Sequence, residues 1–288
     1  MSIQITNIQR FCLNDGPGIR TTIFTKGCSI HCPWCSNPEN IDFQPQYFFK
    51  EDNCKNKKCM YHDQCIPYKT RNALDTKVNT KYYCPFGALG IYGKEYTDLE
   101  LIEEIKKDYS FINETGGVTF SGGEALLQIR ELESVLLQLK KDNLHLAVET
   151  ALFVTAEAVK ISLKYMDFYY VDVKILDKKI CMDVLGGDLN LYFENVNLIF
   201  KSGKTMVFRV PISNEYTLTE NNQDLLITFF ARYKNIKIEL FEIHQLGKSK
   251  YQSMGKQLWE NEDVDKNKLD LFYKTLKQMG HDVEIIEI

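Results

Sequence analysis

A chain of 288 residues can bury a core of its own, and a net charge of −4 gives no general reason to bind nucleic acid or an anionic membrane. Hydrophobic residues make up 44% of it, yet the longest apolar runs, such as 225–231, break far short of a membrane span. The opening MSIQITNIQRF lacks the basic-then-apolar pattern of an export signal, so a cytoplasmic location is expected.

In chain order, apolar and β-branched runs at 20–25, 117–120, 144–149, 168–174, 205–211 and 236–243 read as strands. Helical periodicity fills the intervals at 98–109, 126–141, 155–165, 190–202 and 219–233, with a further helix at 265–279 and a short strand at 283–286. Leu132, Leu136 and Leu139 keep one face of the second helix, and Thr97 with Asp98 caps the first. Strands alternating with helices predict parallel pairing in an α/β fold. Residues 47–96 break the rhythm with many Lys and Asn and little periodicity, and so predict an insertion between the first strand and its helix. The expected units are therefore 1–46 with 97–288, and 47–96.

Seven of the nine cysteines lie between Cys28 and Cys84. Without an export signal, close-set thiols point to a metal or cluster rather than a disulfide framework. An insertion so poor in apolar residues also needs such a centre to hold it together. Cys12 and Cys181 stand alone and read as small buried hydrophobes. Cys28-x3-Cys32-x2-Cys35 follows the first strand directly. Structural zinc wants four ligands, and this loop supplies three thiols, with His31 awkwardly placed beside Cys32. A [4Fe–4S] cluster held by three cysteines leaves one iron open to a small molecule. The spacing thus resembles the signature of the radical S-adenosylmethionine enzymes. That resemblance implies an open iron that chelates the amino and carboxylate groups of S-adenosylmethionine, and reductive cleavage to methionine and a 5′-deoxyadenosyl radical.

Later segments extend the likeness. Ser121-Gly122-Gly123-Glu124 closes the second strand and resembles the family's GGE motif, which contacts the cofactor's amino group. Asp172 and Lys174 stand two apart, on one side of a strand, and resemble a D-x-K element whose lysine meets the cofactor carboxylate. Glu149-Thr150 stands where relatives carry Asp-Thr. With Asp172 it resembles a monovalent-cation site, which the longer Glu149 disturbs. Arg209 and His244 end the next two strands, at positions that the resemblance places near the ribose and adenine, and Gly247 to Tyr251 matches a G-x-x-K-Y segment. All of these lie at strand ends, which in a (β/α) barrel form one rim. A partial (β/α)6 TIM-type barrel with an inserted cysteine-rich, ferredoxin-like segment is the expected fold.

Asp15-Gly16-Pro17-Gly18-Ile19-Arg20 and Cys35-Ser36-Asn37-Pro38-Glu39 narrow the likeness to the glycyl radical enzyme activating enzymes, such as the pyruvate formate-lyase activating enzyme. The resemblance implies hydrogen-atom abstraction from a glycine Cα of a partner enzyme. It adds flavodoxin or ferredoxin as electron donor and a cofactor contact at Asn37. Asp15, Gly16, Pro17, Gly18 and Arg20 are expected to dock the partner. In the insertion, Cys54, Cys59, Cys65 and Cys84, the last followed by Pro85, predict one auxiliary [4Fe–4S] cluster, with structural zinc as the alternative. Two rival readings stand beside this one. The first is a radical enzyme acting on a small molecule or another macromolecule, which Asp15 to Arg20 argues against. The second is a non-catalytic metal-binding module, which has no use for Gly122 to Glu124 or Lys174.

Overall fold

A computed structural model describes residues 2–55, 58–59, 84–260 and 262–287. Eleven strands can be numbered among them: β1 (Ile3–Cys12), β2 (Arg20–Thr25), β3 (Gln46–Phe49), β4 (Leu89–Tyr92), β5 (Lys94–Tyr96), β6 (Gly117–Gly122), β7 (His145–Thr150), β8 (Phe168–Asp172), β9 (Thr205–Ile212), β10 (Lys237–Glu242) and β11 (Asp282–Ile285). The helices that matter are α1 (Asp98–Lys106), α2 (Ile129–Lys141), α3 (Ala156–Ser162), α4 (Leu189–Ser202), α5 (Glu220–Phe230), α6 (Lys248–Ser253) and α7 (Lys266–Gln278). Nine strands form one sheet in the order β11-β10-β9-β8-β7-β6-β2-β1-β5. From β2 to β11 every neighbouring pair is parallel. This is the partial barrel expected, extended by β11 on one edge and by the antiparallel β1 and β5 on the other.

Period-two alternation divides the two faces of these strands. Val118, Phe120, Leu146, Val148, Tyr169, Val171, Phe208 and Val210 are fully buried under the helices. Helix α2 meets them with Leu132, Val135, Leu136 and Leu139, each removed from water. Each such side chain contributes about 2 kcal/mol of burial. Thr97 and Glu100 close a capping box on α1, and Thr155, Asp188, Thr219 and Asp265 cap α3, α4, α5 and α7.

The opposite parity builds the barrel interior in layers set by register. Arg20, Gly117 and His145 align across β2, β6 and β7 at the floor. Thr22, Thr119, Ala147 and Phe168 come next, followed by Glu149 beside Tyr170 and Val207, and then Asp172 beside Arg209 and Glu239. Ala147, Phe168, Tyr170 and Val207 make a small apolar cluster between the polar layers.

Several elements depart from expectation. Strand β1 shows the pattern of a half-exposed strand, and its polar face had left it unread in the sequence. Strand β8 ends at Asp172, so Lys174 lies just beyond the strand. Residues 94–96, assigned to the insertion, pair instead with Ile3–Ile5 as an edge strand of the main sheet. Strands β3 and β4 form a separate two-stranded antiparallel sheet. Among the described residues no helix is long and apolar enough to cross a membrane.

Candidate active site

Beyond β2 the chain turns through Lys26 and Gly27 into the cysteine loop. The Gly27 and Cys28 amides donate to the Asn40 and Ile41 carbonyls at 2.8 and 2.9 Å, and the His31 amide donates to Leu185 at 2.9 Å. Lys26 Nζ, fully buried, donates to the Glu39 carbonyl at 2.6 Å. The loop is therefore fixed on both sides. Cys28, Cys32 and Cys35 are free thiols that line one cavity of about 570 Å³. Burial pushes the Cys28 and Cys32 thiols up to about 12 and Cys35 up to about 11. Three thiols of one loop on one cavity wall suit a [4Fe–4S] cluster with one iron left open.

Ser121, Gly122 and Gly123 line the same cavity. The glycines are required by backbone contact: a Cβ on Gly123 would lie 2.2 Å from the Gly27 carbonyl oxygen and 2.5 Å from that of Asn40. Gly122, at φ +114°, would press one to 2.3 Å from the Thr25 oxygen. Main chain thus packs on main chain where the strand end meets the cysteine loop. Glu124 does not line the cavity. It turns away as the cap of a short helical turn, where its carboxylate accepts from Leu126 N at 3.2 Å, Ala151 N at 2.9 Å and Thr150 Oγ1 at 2.8 Å. Burial pushes its pKa up to about 7 against these bonds. Glu124 holds the turn; the cavity receives the glycine backbone.

Two charged groups face inward. Lys174 Nζ lies 2.9 Å from Asp172 Oδ2, with both residues on the cavity wall. Burial opposes the ammonium, but Asp172 and the nearby thiols outweigh it and raise the Lys174 pKa. One layer down, Ser121 Oγ donates to Glu149 Oε2 at 2.5 Å, and Arg209 Nη1 donates to Glu149 Oε1 at 2.6 Å. Arg209 also donates to Glu239 at 2.9 Å and to the Asn14 carbonyl at 2.6 Å, with its guanidinium 3.4 Å from the centre of the Tyr170 ring. Burial raises the Glu149 pKa, and Arg209 opposes it. Both Glu149 oxygens, the Thr150 hydroxyl and Asp172 Oδ2 each already hold a partner within the chain.

Asn37 and His244 also lie on the cavity wall. Lys250 Nζ donates to Asn37 Oδ1 and Glu39 Oε1, both at 2.6 Å, so α6 clamps the cysteine loop. Lys250 is the lysine of the G-x-x-K-Y segment, whose spacing signalled importance without the contact. Cys12, expected only as a buried hydrophobe, is buried and lines the cavity as well.

The Asp15 to Arg20 segment divides. Asp15 lines the cavity and accepts from Thr22 Oγ1 at 2.5 Å. Gly16 is buried, whereas Pro17 and Gly18 are exposed. Arg20 is wholly buried, which overturns the expectation that it touches a partner. Its guanidinium donates to the Pro17, Val118 and His145 carbonyls at 3.0, 2.7 and 3.1 Å and to Thr119 Oγ1 at 2.5 Å. Of the four cysteines expected to hold an auxiliary centre, Cys54, Cys59 and Cys84 are half-buried free thiols, and Cys65 lies outside the described residues.

The chain is similar to known proteins in sequence and in fold. A family described as a 4Fe-4S single cluster domain matches residues 14–183. The 4-hydroxyphenylacetate decarboxylase activating enzyme of Clostridioides difficile (strain CD196) is 34% identical over 286 residues, covering 92% of this chain and 89% of that one. The pyruvate formate-lyase 2-activating enzyme of Escherichia coli (strain K12) is 34% identical over 262 residues, covering 91% and 84%. In fold, QueE from Escherichia coli superposes with a TM-score of 0.54 at 11% identity, covering 100% of this chain and 95% of its own. A radical SAM methyltransferase from Sphaerobacter thermophilus gives 0.55 at 10%, covering 98% and 76%.

Proposed function

The chain belongs to the glycyl radical enzyme activating enzymes, with a [4Fe–4S] cluster and S-adenosylmethionine as cofactors and a glycyl radical enzyme as protein substrate, and from that premise we propose how its own residues divide the work. Cys28, Cys32 and Cys35 would hold the cluster through three of its irons. Bound there, the cluster and S-adenosylmethionine would supply one-electron reductive cleavage of the cofactor and removal of a hydrogen atom from a glycine Cα of the partner.

Around that chemistry the chain binds and orients. Lys174, held by Asp172, offers an ammonium to the cofactor carboxylate. Ser121 and the Gly122–Gly123 backbone face its amino group, while Glu124 and Thr150 hold the turn beneath them. Asn37 and His244 line the part of the cavity assigned to the nucleoside. Below them Arg209 pairs with both Glu149 and Glu239. The exposed Pro17 and Gly18, with Asp15 behind them, belong to the docking loop. Residues 47–93 form a distinct insertion in which Cys54, Cys59, Cys65 and Cys84 hold one auxiliary [4Fe–4S] cluster, and flavodoxin or ferredoxin delivers electrons in the cytoplasm.

The observation that carries this reading is the convergence of three thiols, a Gly-Gly strand end and a lysine–aspartate pair on one cavity. The test is anaerobic reconstitution with iron and sulfide. The wild type should cleave S-adenosylmethionine under a strong reductant, and each of Cys28→Ala, Cys32→Ala and Cys35→Ala should abolish cleavage. Full cleavage by any of the three would refute the assignment.

A further inference from the structure

Two leucines at the cavity have no place in the cofactor chemistry. Leu13 and Leu246 both line it, yet each is 70% exposed. They come from strands next to the two edges of the sheet, Leu13 from the loop after β1 and Leu246 from the loop after β10. A leucine that lines a cavity and is still mostly in water stands at its mouth.

Neither leucine sits on a slack loop. Before Leu13 the β1–β2 register shifts between Gln9 and Cys12, and Phe11 takes φ +58°, a conformation that a bulky side chain rarely adopts. Phe111 supports Phe11 edge-on with ring centres 5.0 Å apart. After Leu13, Arg209 donates to the Asn14 carbonyl, and Thr119 Oγ1 donates to that of Asp15 at 2.6 Å. On the other side the Leu246 amide donates to His244 Nδ1 at 3.3 Å, and the Lys250 clamp anchors the helix that follows. Hydrogen bonds on both loops therefore hold two apolar side chains out at the mouth.

Resting on the function proposed above, we infer that Leu13 and Leu246 form apolar jaws that grip a hydrophobic side chain adjacent to the target glycine in the partner's loop. Hydrogen transfer requires that glycine to enter the cavity these leucines frame, so the residues on either side of it must pass between them. A glycine has no side chain to be recognised by, and selectivity has to come from its neighbours. Apolar jaws select an apolar neighbour and penalise a polar one, whose lost hydration they cannot replace.

Two synthetic nonapeptides test this directly. Both carry one glycine deuterated at Cα, followed by leucine in one and asparagine in the other, and deuterium appearing in 5′-deoxyadenosine is measured. Wild-type protein should favour the leucine peptide at least tenfold in kcat/KM. The Leu13→Ser/Leu246→Ser double variant should discriminate less than threefold, and Leu13→Met/Leu246→Met should keep the preference. Transfer from both peptides at similar rates by the wild type, or an undiminished preference in the serine variant, overturns the jaws and leaves the function standing. Cofactor cleavage by the wild type without transfer from either peptide removes the function as read, and the jaws with it.

Discussion

Arg20 at the barrel floor and Lys174 at its rim are both cations on the inner side of one sheet, yet their surroundings differ in kind. Arg20 is wholly buried and makes four bonds of 3.1 Å or less to carbonyls and a hydroxyl of its own chain. Lys174 keeps part of its surface on the cavity and has one carboxylate partner, Asp172. A cation whose donors are all satisfied internally is a pin; one left with spare donors beside a cavity can take a ligand. Charge alone does not distinguish them. The count of unused donors does.

The hardest way to break that contrast is to remove the pin. Arg20→Met leaves the Pro17, Val118 and His145 carbonyls without their donor, and should destabilise the fold by about 3–5 kcal/mol. Thermal melting should then fall by on the order of 10 °C, with cofactor affinity unchanged in the protein that remains folded; an unaltered Tm would erase the distinction. At the rim, Lys174→Ala should weaken S-adenosylmethionine binding by about 1.5–3 kcal/mol, or roughly 10- to 100-fold in Kd. Equilibrium binding to the reconstituted protein measures this, and a Kd within twofold of wild type would count against a carboxylate contact.

Glu124 sharpens the comparison as an anion that is sealed in and fully bonded. Burial raises its pKa from the ordinary 4.5 to about 7. The folded protein therefore holds this proton more tightly than the unfolded chain does. Stability from this group is greatest near and below pH 4.5 and is lost as pH rises toward 7. Half-buried His145 and buried His281, with lowered pKa values, pull the other way, so the difference between wild type and Glu124→Gln isolates the carboxyl. Wild type should lead in urea stability at pH 5, and its lead should shrink by pH 8; a constant gap would contradict the assignment. The smallest expected effect is a null result. With Glu149 bound to Arg209 and Ser121, exchanging potassium for sodium should change cofactor affinity less than twofold, as isothermal titration would show.

Much of this was legible in the sequence because parallel strands announce themselves and their ends must gather on one rim. The cysteine loop, the Gly-Gly turn and the Asp172–Lys174 pair could be placed on that rim from order alone. Orientation at the ends of motifs could not. Glu124 follows a strand by two residues, and only the cap geometry sends its side chain beneath Thr150 instead of into the cavity. Arg20 shares a run with exposed Pro17 and Gly18, and its burial depends on a strand partner 97 residues away, Gly117. Strand β1 went unread because one face is wet and mimics a loop. Lys250 showed its spacing but not its target, since Asn37 lies 213 residues distant.

The glycine pair at the end of β6 has a broader consequence. Where Gly123 rests on the carbonyls of Gly27 and Asn40, no side chain separates the two segments. Their separation is fixed by peptide geometry, which does not vary with the residues around it. Replacements in the helical shell can soften or stiffen the molecule and still leave the iron-holding turn and the nucleotide-facing strand in alignment. The most exacting dimension of the machine is thus set by atoms that every amino acid shares.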